Sequence, residues 1–273
     1  MKLAVSNIAW DDKDNESVYK LMKNYGFRGL EVAPGKICSD VADYQDYELD
    51  IFRKKIEEYD IEPVSMQALL YGRDDLKIFD NIDSRKKTLE YLKNIIILAK
   101  KIGIKTLVFG SPKNRSFSSD LDKNKVIDIS FDFFNDLGKF AFENGVNFCL
   151  EPNPISYGTN FLNNIQETVD FIKYVDNDGL KLIVDTSEII MNEEVYDDIL
   201  IESAPYIGHF HISEPDLQPL SVAYKDIHLS IAKILKSINY EGWSSVEMKP
   251  VKENNLDNIS NALNFISNIY KNI

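Results

Sequence analysis

Four apolar runs in the second half of the chain each end in a side chain able to ligate a cation. They are Glu151 in "FCLEPNP", Asp185 in "LIVDTSE", His211 in "GHFHISEP" and Glu247 in "SSVEMKP". Taken singly, a Glu or Asp at the end of a strand commonly caps the next helix, and a strand histidine commonly sits hydrogen-bonded in a core. The set says more than its members. Three carboxylates brought together repel one another and are costly to bury, and a divalent cation is the simplest counter-charge. Three carboxylates and one imidazole form a mostly hard donor set, which favours Mn²⁺ or Mg²⁺ and tolerates Co²⁺ or Zn²⁺. Strand alternation puts His209 and Ser213 on the same side as His211. His211 is therefore expected as the ligand, with His209 packed or hydrogen-bonded one pleat deeper.

Such a site needs rigid elements to hold it, and the sequence marks them. Glycine recurs where a helical pattern gives way to an apolar run, in "NYGFRGLEV", "KKIGIKTLVF", "ENGVNFCL", "NDGLKLIV", "YIGHFHI" and "YEGWSSVEM". A residue just past a helix end often adopts positive φ, which glycine does without steric penalty, and a β-branched or aromatic run after it reads as a strand. Strands are accordingly expected near residues 2–9, 29–34, 62–69, 105–111, 147–153, 181–186, 208–213 and 244–249. The segments between them carry helical periodicity. From Ser84 to Lys101, for instance, Leu89, Leu92, Ile95, Ile96 and Ala99 make one apolar face. Eight strand-helix units of about 34 residues predict an α/β fold, a single-domain (β/α)₈ TIM barrel over residues 1–273. The rival, a doubly wound open sheet, would place a Gly-rich turn after its first strand, where this chain has "AWDDKDNE". In a barrel, function gathers at the carboxyl ends of the strands. The four side chains are thus expected to converge on one mouth.

Composition narrows the partners. No apolar run approaches the roughly 18 residues of a membrane helix, and the short run in "MKLAVSNIAW" breaks at Asn7, unlike a signal peptide. The expectation is a cytoplasmic protein. Cys38 and Cys149 lie far apart with no pairing pattern, which argues against a disulfide framework or a thiolate zinc site. A net charge of −13 opposes nucleic-acid binding, which depends on Lys and Arg displacing counterions. A small molecule is the expected partner, and a homo-oligomer is compatible with the sequence.

The stretches "LEPNP", "VDTSE", "HFHISEP" and "GWSSVEM", with "KLAVSNIAW" and "GFRGLEVAP" near the start, resemble the sugar phosphate isomerase/epimerase family and its xylose-isomerase-like barrel, over essentially the whole chain. In the ketose 3-epimerases of that family the matching Glu, Asp, His and Glu bind one divalent metal, and the two glutamates also move the proton. The resemblance implies that Glu151 and Glu247 are the acid/base pair as well as ligands, with Asp185 and His211 ligands only. Those epimerases usually carry a histidine three residues after the sixth-strand aspartate and an arginine a few residues after the seventh-strand histidine, both touching substrate. This chain has Glu188 and Leu217 in those places. The metal quartet is intact and the recognition pair is not.

The chemistry of such a pair can be argued without the resemblance. A carbon acid beside a ketone is too weak for a carboxylate alone, so a metal must stabilise the enediolate. One glutamate removes the proton from one face and the other delivers it to the opposite face, inverting the carbinol centre. The leading reading is a metal-dependent isomerase or epimerase of a keto sugar or related polyol. Elimination from the same enediolate would make the protein a lyase or dehydratase on a 3-keto sugar or cyclic keto acid. A non-catalytic sugar-binding barrel is a third reading. An apurinic-site endonuclease shares the barrel but uses a histidine-rich three-zinc cluster, which a chain with three histidines can hardly supply. Further candidates for substrate contact are Gln67, Asn153, Glu188 and Lys249, with Lys113 and Arg115 as an anchor for a phosphate or carboxylate. Trp10 could stack a sugar face or simply pack. His228, in a helical stretch, is given no role in the metal site.

Overall fold

A computed structural model describes residues 1–271. Eight parallel strands pair in chain order and close on themselves: β1 (Lys2–Ser6), β2 (Gly29–Val32), β3 (Glu62–Met66), β4 (Thr106–Phe109), β5 (Asn147–Leu150), β6 (Leu180–Asp185), β7 (Ile207–Ile212) and β8 (Trp243–Val246). Around them lie α1 (Asn15–Tyr25), α2 (Asp46–Glu57), α3 (Ile82–Ile102), α4 (Lys123–Glu143), α5 (Ile165–Val175), α6 (Thr186–Met191), α7 (Tyr196–Ser203), α8 (Lys225–Ser237) and α9 (Asn255–Tyr270). This is the (β/α)₈ barrel expected from the sequence. No helix among the described residues is long and apolar enough to cross a membrane.

Each helix turns an apolar stripe to the barrel. On α3, Leu92, Ile95, Ile96 and Ala99 are buried, as the periodicity predicted, while Lys100 and Lys101 end the helix, where cations suit the carbonyl end of its dipole. Gly103 then adopts φ 87°, and its N–H bonds back to Ala99 and Lys100 before β4 begins. Gly208 serves differently. It lies inside β7, and a Cβ there would come within 2.7 Å of Lys181 Cβ and 2.8 Å of Cys149 Sγ. Its lack of a side chain lets β7 pack against its neighbours, whereas Gly103 provides a turn.

The strands are shorter than the apolar runs because the chain leaves the ladder as soon as it reaches the mouth. After Ser6 it turns through Asn7–Ala9, and Asn7 Oδ1 accepts the Ala33 N–H at 2.9 Å, tying the exits of β1 and β2 together. The register aligns Asp185 with His211 and His211 with Ser245, and on the other side Ser6 with Glu31 and Glu31 with Ser65. Polar side chains from β2, β3, β6, β7 and β8 therefore share the upper layer of the barrel interior. Beneath this layer Val108, Cys149 and Ile183 form a small apolar cluster.

Candidate active site

The four sequence-expected ligands converge. Glu151 and Glu247 each stand one residue beyond a strand and are still held by it: Glu151 N–H donates to Phe109 O at 3.2 Å, and Glu247 N–H to Ile212 O at 3.0 Å. Asp185 ends β6 and His211 lies in β7. One potential ligand atom from each of the four lies within 4.8 Å of the others. Room for Glu151 comes from Gly110, where a Cβ would lie 1.9 Å from Glu151 Oε2. Asp185 also caps α6, since its Oδ1 accepts the Ser187 N–H at 2.8 Å and the Ser213 hydroxyl. These bonds fix the direction in which the carboxylate points.

His211 holds the key geometry. Its Nδ1 lies 3.4 Å from Glu151 Oε1 and 3.2 Å from Glu247 Oε2, yet it is buried without a hydrogen-bond partner among the described residues. The other ring nitrogen is committed: Nε2 lies 3.1 Å from Glu31 Oε2 and 3.0 Å from Glu31 Oε1. An imidazole that donates Nε2–H to a carboxylate presents an Nδ1 lone pair once the ring is neutral, and a cation bound there would displace the Nδ1 proton; metal-binding histidines are commonly held this way. An orphaned imidazole nitrogen, flanked by carboxylates and joined by a third, fits one divalent cation.

Glu31 was present in "GFRGLEVAP" but had no role in the sequence reading. It is fully buried and collects hydrogen bonds from the side chains of Ser65 (2.7 Å), His209 (2.8 Å), His211 (3.1 Å), Ser245 (3.1 Å) and Gln67 (3.2 Å). The signal was a glutamate inside an otherwise apolar strand. Its partners, however, come from strands on several sides of the barrel, and only closure brings them to one carboxylate. His209 lies beneath His211 as expected and bonds Glu31 rather than the quartet. Glu31, His209 and His211 form a second group with metal-competent spacing, but the histidine nitrogens facing Glu31 are used in hydrogen bonds.

Burial dominates the electrostatics. It would raise Glu31, but His211 and His209 outweigh it and hold that carboxyl well below its ordinary value. Burial would lower His211, but Glu31 and Glu247, with Glu151, hold it well above. His209 is lowered by burial and stays a neutral donor. Asp185 is raised by burial and by Glu247, and Glu247 by burial, against His211. A crowd of carboxyls whose charged forms are disfavoured is what a dication would relieve.

Beside Glu151 lies a second buried group. Asn153 Nδ2 donates to Glu188 Oε1 at 2.7 Å and reaches Glu151 Oε2 at 3.4 Å. Arg115, a candidate anchor for an anion, is fully buried, and its Nη2 donates to the Glu151 carbonyl. The loop after β4 folds inward through Ser111, whose φ is 43° and whose carbonyl accepts the Asn114 N–H. Burial pushes Arg115 down to about 10, opposed by Glu151 and Glu188. Burial, then Glu151 and Asp185, raises Glu188 well above its usual range.

The remaining candidates divide. Gln67, Trp10 and Lys249, with Leu217, line a cavity of about 830 Å³ that opens over the barrel and has Glu247 in its wall. The Trp10 indole is buried, its Nε1–H held by Asn15 Oδ1 at 2.7 Å. Gln67 also donates to Ser6 Oγ at 2.6 Å. Lys113 is exposed and lines a separate surface depression with Lys77. His228 is buried away from the quartet, with Nδ1 3.2 Å from the Tyr270 hydroxyl.

Comparison with known proteins agrees with this arrangement. D-psicose 3-epimerase of Agrobacterium fabrum is 25% identical over 245 residues, spanning 88% of this chain and 80% of that protein. D-psicose 3-epimerase of Ruminiclostridium cellulolyticum is 30% identical over 135 residues, 49% of this chain and 44% of its own. The crystal structure of D-psicose 3-epimerase with D-tagatose from Clostridium cellulolyticum H10 superposes with a TM-score of 0.80 over 99% of both chains at 19% identity, a likeness of fold. Residues 19–269 match the model of the xylose isomerase-like TIM barrel, and the chain belongs to that family.

Proposed function

We propose that the protein is a divalent-metal-dependent epimerase of a ketose or closely related keto sugar, inverting a carbinol carbon beside the carbonyl through an enediolate. One observation carries the reading: Glu151 and Glu247 reach the same imidazole nitrogen, His211 Nδ1, from β5 and β8, three strands apart around the ring. Two carboxylates so placed can address opposite faces of one carbon. A divalent ion held by Glu151, Asp185, His211 and Glu247 supplies Lewis-acid stabilisation of the charge that develops on the carbonyl oxygen, with Mn²⁺ or Mg²⁺ favoured by the donor set over Co²⁺ or Zn²⁺.

Glu247, in the cavity wall, removes the proton from the carbinol carbon on one face, and Glu151 returns a proton to the other. Ser213 and the Ser187 N–H keep Asp185 in place, while Glu31 fixes the His211 ring. The relatives named D-psicose 3-epimerase support a ketose as the substrate class. Glu188 and Leu217, where ketose epimerases usually carry His and Arg, support a substrate gripped differently from theirs.

The test is solvent exchange. Keto sugars incubated with metal-loaded protein in D₂O should take up deuterium beside the carbonyl and yield the epimer. Exchange absent from every keto sugar, or loss of water from the product in place of epimerisation, defeats the reading.

A further inference from the structure

The cavity beside Glu247 is larger than a free ketose needs. Even if each of a hexose's twelve non-hydrogen atoms is given the ~30 Å³ that a water occupies in the liquid, the sugar takes about 360 Å³. That is less than half of the roughly 830 Å³ present. The excess extends from Glu247 toward the loop that joins β3 to α3.

That loop, residues 67–81, is long for a connection in a compact barrel, and loops of this length usually serve function. It is also firmly built. Leu69, Leu70, Leu76 and Ile78 are buried, Asn114 Nδ2 donates to the carbonyls of Arg73 (2.8 Å) and Leu76 (2.7 Å), and Ile78 N–H donates to Asn114 O at 3.0 Å. Ala68 takes φ 55°, a left-handed conformation that costs a non-glycine residue energy and that clusters at ligand sites. The product of this construction is Tyr71, on the cavity wall and 89% exposed. The loop anchors its backbone and leaves the ring almost wholly in water, where its flat apolar face is open to a ligand.

Two of the three basic side chains in the cavity lining are already engaged. Arg73 grips Asp75 through two bonds of 2.9 and 2.8 Å and lies over the Tyr91 ring at 4.5 Å. Lys36 donates to the Trp10 carbonyl and to Asp12. Lys249 remains as the cation in the lining without an ion pair among the described residues, and Asp11, Asp40 and Glu247 line the same cavity. A single lysine among carboxylates is no phosphate site, which calls for several donors or an arginine fork.

We infer that the substrate is a ketose carrying a second, uncharged sugar ring on a hydroxyl remote from its carbonyl, with the ketose at Glu247 and the second ring against Tyr71. The remote linkage leaves the carbonyl free for enolisation. The inference rests on the epimerase reading above and adds the substrate class.

The experiment compares, with metal-loaded protein, deuterium exchange into a free ketose, its 6-O-glucosyl derivative and its 6-phosphate. The glucosyl ketose should show a kcat/KM at least about tenfold above the other two. Tyr71→Ala should lower that value between about 2- and 12-fold, the worth of one aromatic contact, chiefly through KM, and leave the free ketose unchanged. Tyr71→Phe should behave as wild type. The inference is overturned if the free ketose or the phosphate is turned over as well as the glucosyl ketose, or if Tyr71→Ala affects free and glucosyl sugars alike. The comparison is made on the ketose that exchanges best among the keto sugars screened; if no keto sugar, free or substituted, exchanges, the epimerase reading fails and takes this one with it.

Discussion

Replacing Glu31 with glutamine keeps the size of the side chain and removes its charge. The carboxylate accepts five side-chain donors, those of Gln67 and Ser245 on Oε1 and those of Ser65, His209 and His211 on Oε2. A glutamine must turn its NH₂ toward one of these groups, so donors then face donors in a fully buried layer. The larger effect is on His211. Its Nε2–H loses an anionic acceptor, and the ring loses the partner that keeps Nδ1 bare and aimed between Glu151 and Glu247. Removing such a supporting group typically weakens metal affinity by 10- to 100-fold, which corresponds to about 1.4 to 2.7 kcal/mol. The assay is a competition titration of Mn²⁺ or Zn²⁺ against a chromophoric chelator, with circular dichroism to confirm that Glu31→Gln remains folded. A folded variant whose metal Kd lies within about twofold of wild type would refute the claim that Glu31 orients the ligand, and with it the assignment of Nδ1 as the binding nitrogen.

Three further outcomes are expected. Glu247→Gln keeps an oxygen ligand but removes a base, so bound metal measured by elemental analysis should persist while turnover falls by about 10² or more; a variant retaining most activity removes Glu247 from the proton path. Glu188→Gln should lower kcat/KM for the best keto sugar by about 1–3 kcal/mol of transition-state stabilisation, and an unchanged value would place Glu188 outside the recognition of substrate. Metal-free protein should lose stability as pH rises from about 5 to 8. Asp185, pushed up to about 7, keeps a proton that the unfolded chain has already shed. His211, held well above its ordinary value, stabilises below the unfolded pKa and loses that contribution as pH climbs through the folded one. Glu247 and Glu188, raised by burial, act in the same direction, whereas His209, lowered by burial, opposes them as pH rises toward its unfolded value and Glu31, held low, does so only in acid. Thermal melts with and without saturating Mn²⁺ check this, and a metal-free melting temperature that rises over that range contradicts it.

The barrel was legible because its causes are local. Apolar stripes at helical spacing, apolar runs of strand length and glycine at helix ends are written in consecutive residues, and eight repeats leave little choice of architecture. The quartet was legible for a related reason. Each of Glu151, Asp185, His211 and Glu247 ends its own apolar run, and in a barrel the end of a strand is already a location. Arg115 stands in a loop whose composition looks polar, and nothing in it says that the guanidinium is buried. Only the inward turn at Ser111 buries the guanidinium behind Glu151. Glu31 could not have been assigned from its own stretch, since nothing in "GLEV" says that two histidines from β7 and serines from β3 and β8 will meet it. Tyr71, likewise, reads as an ordinary loop tyrosine until the packing of residues 67–81 brings it to the cavity wall. The sequence by itself determined which side chains stand at which strand ends. Closure of the sheet and the folding of the loops decided which groups face one another, because those contacts join residues up to 214 positions apart, whose separation in space the chain does not encode locally.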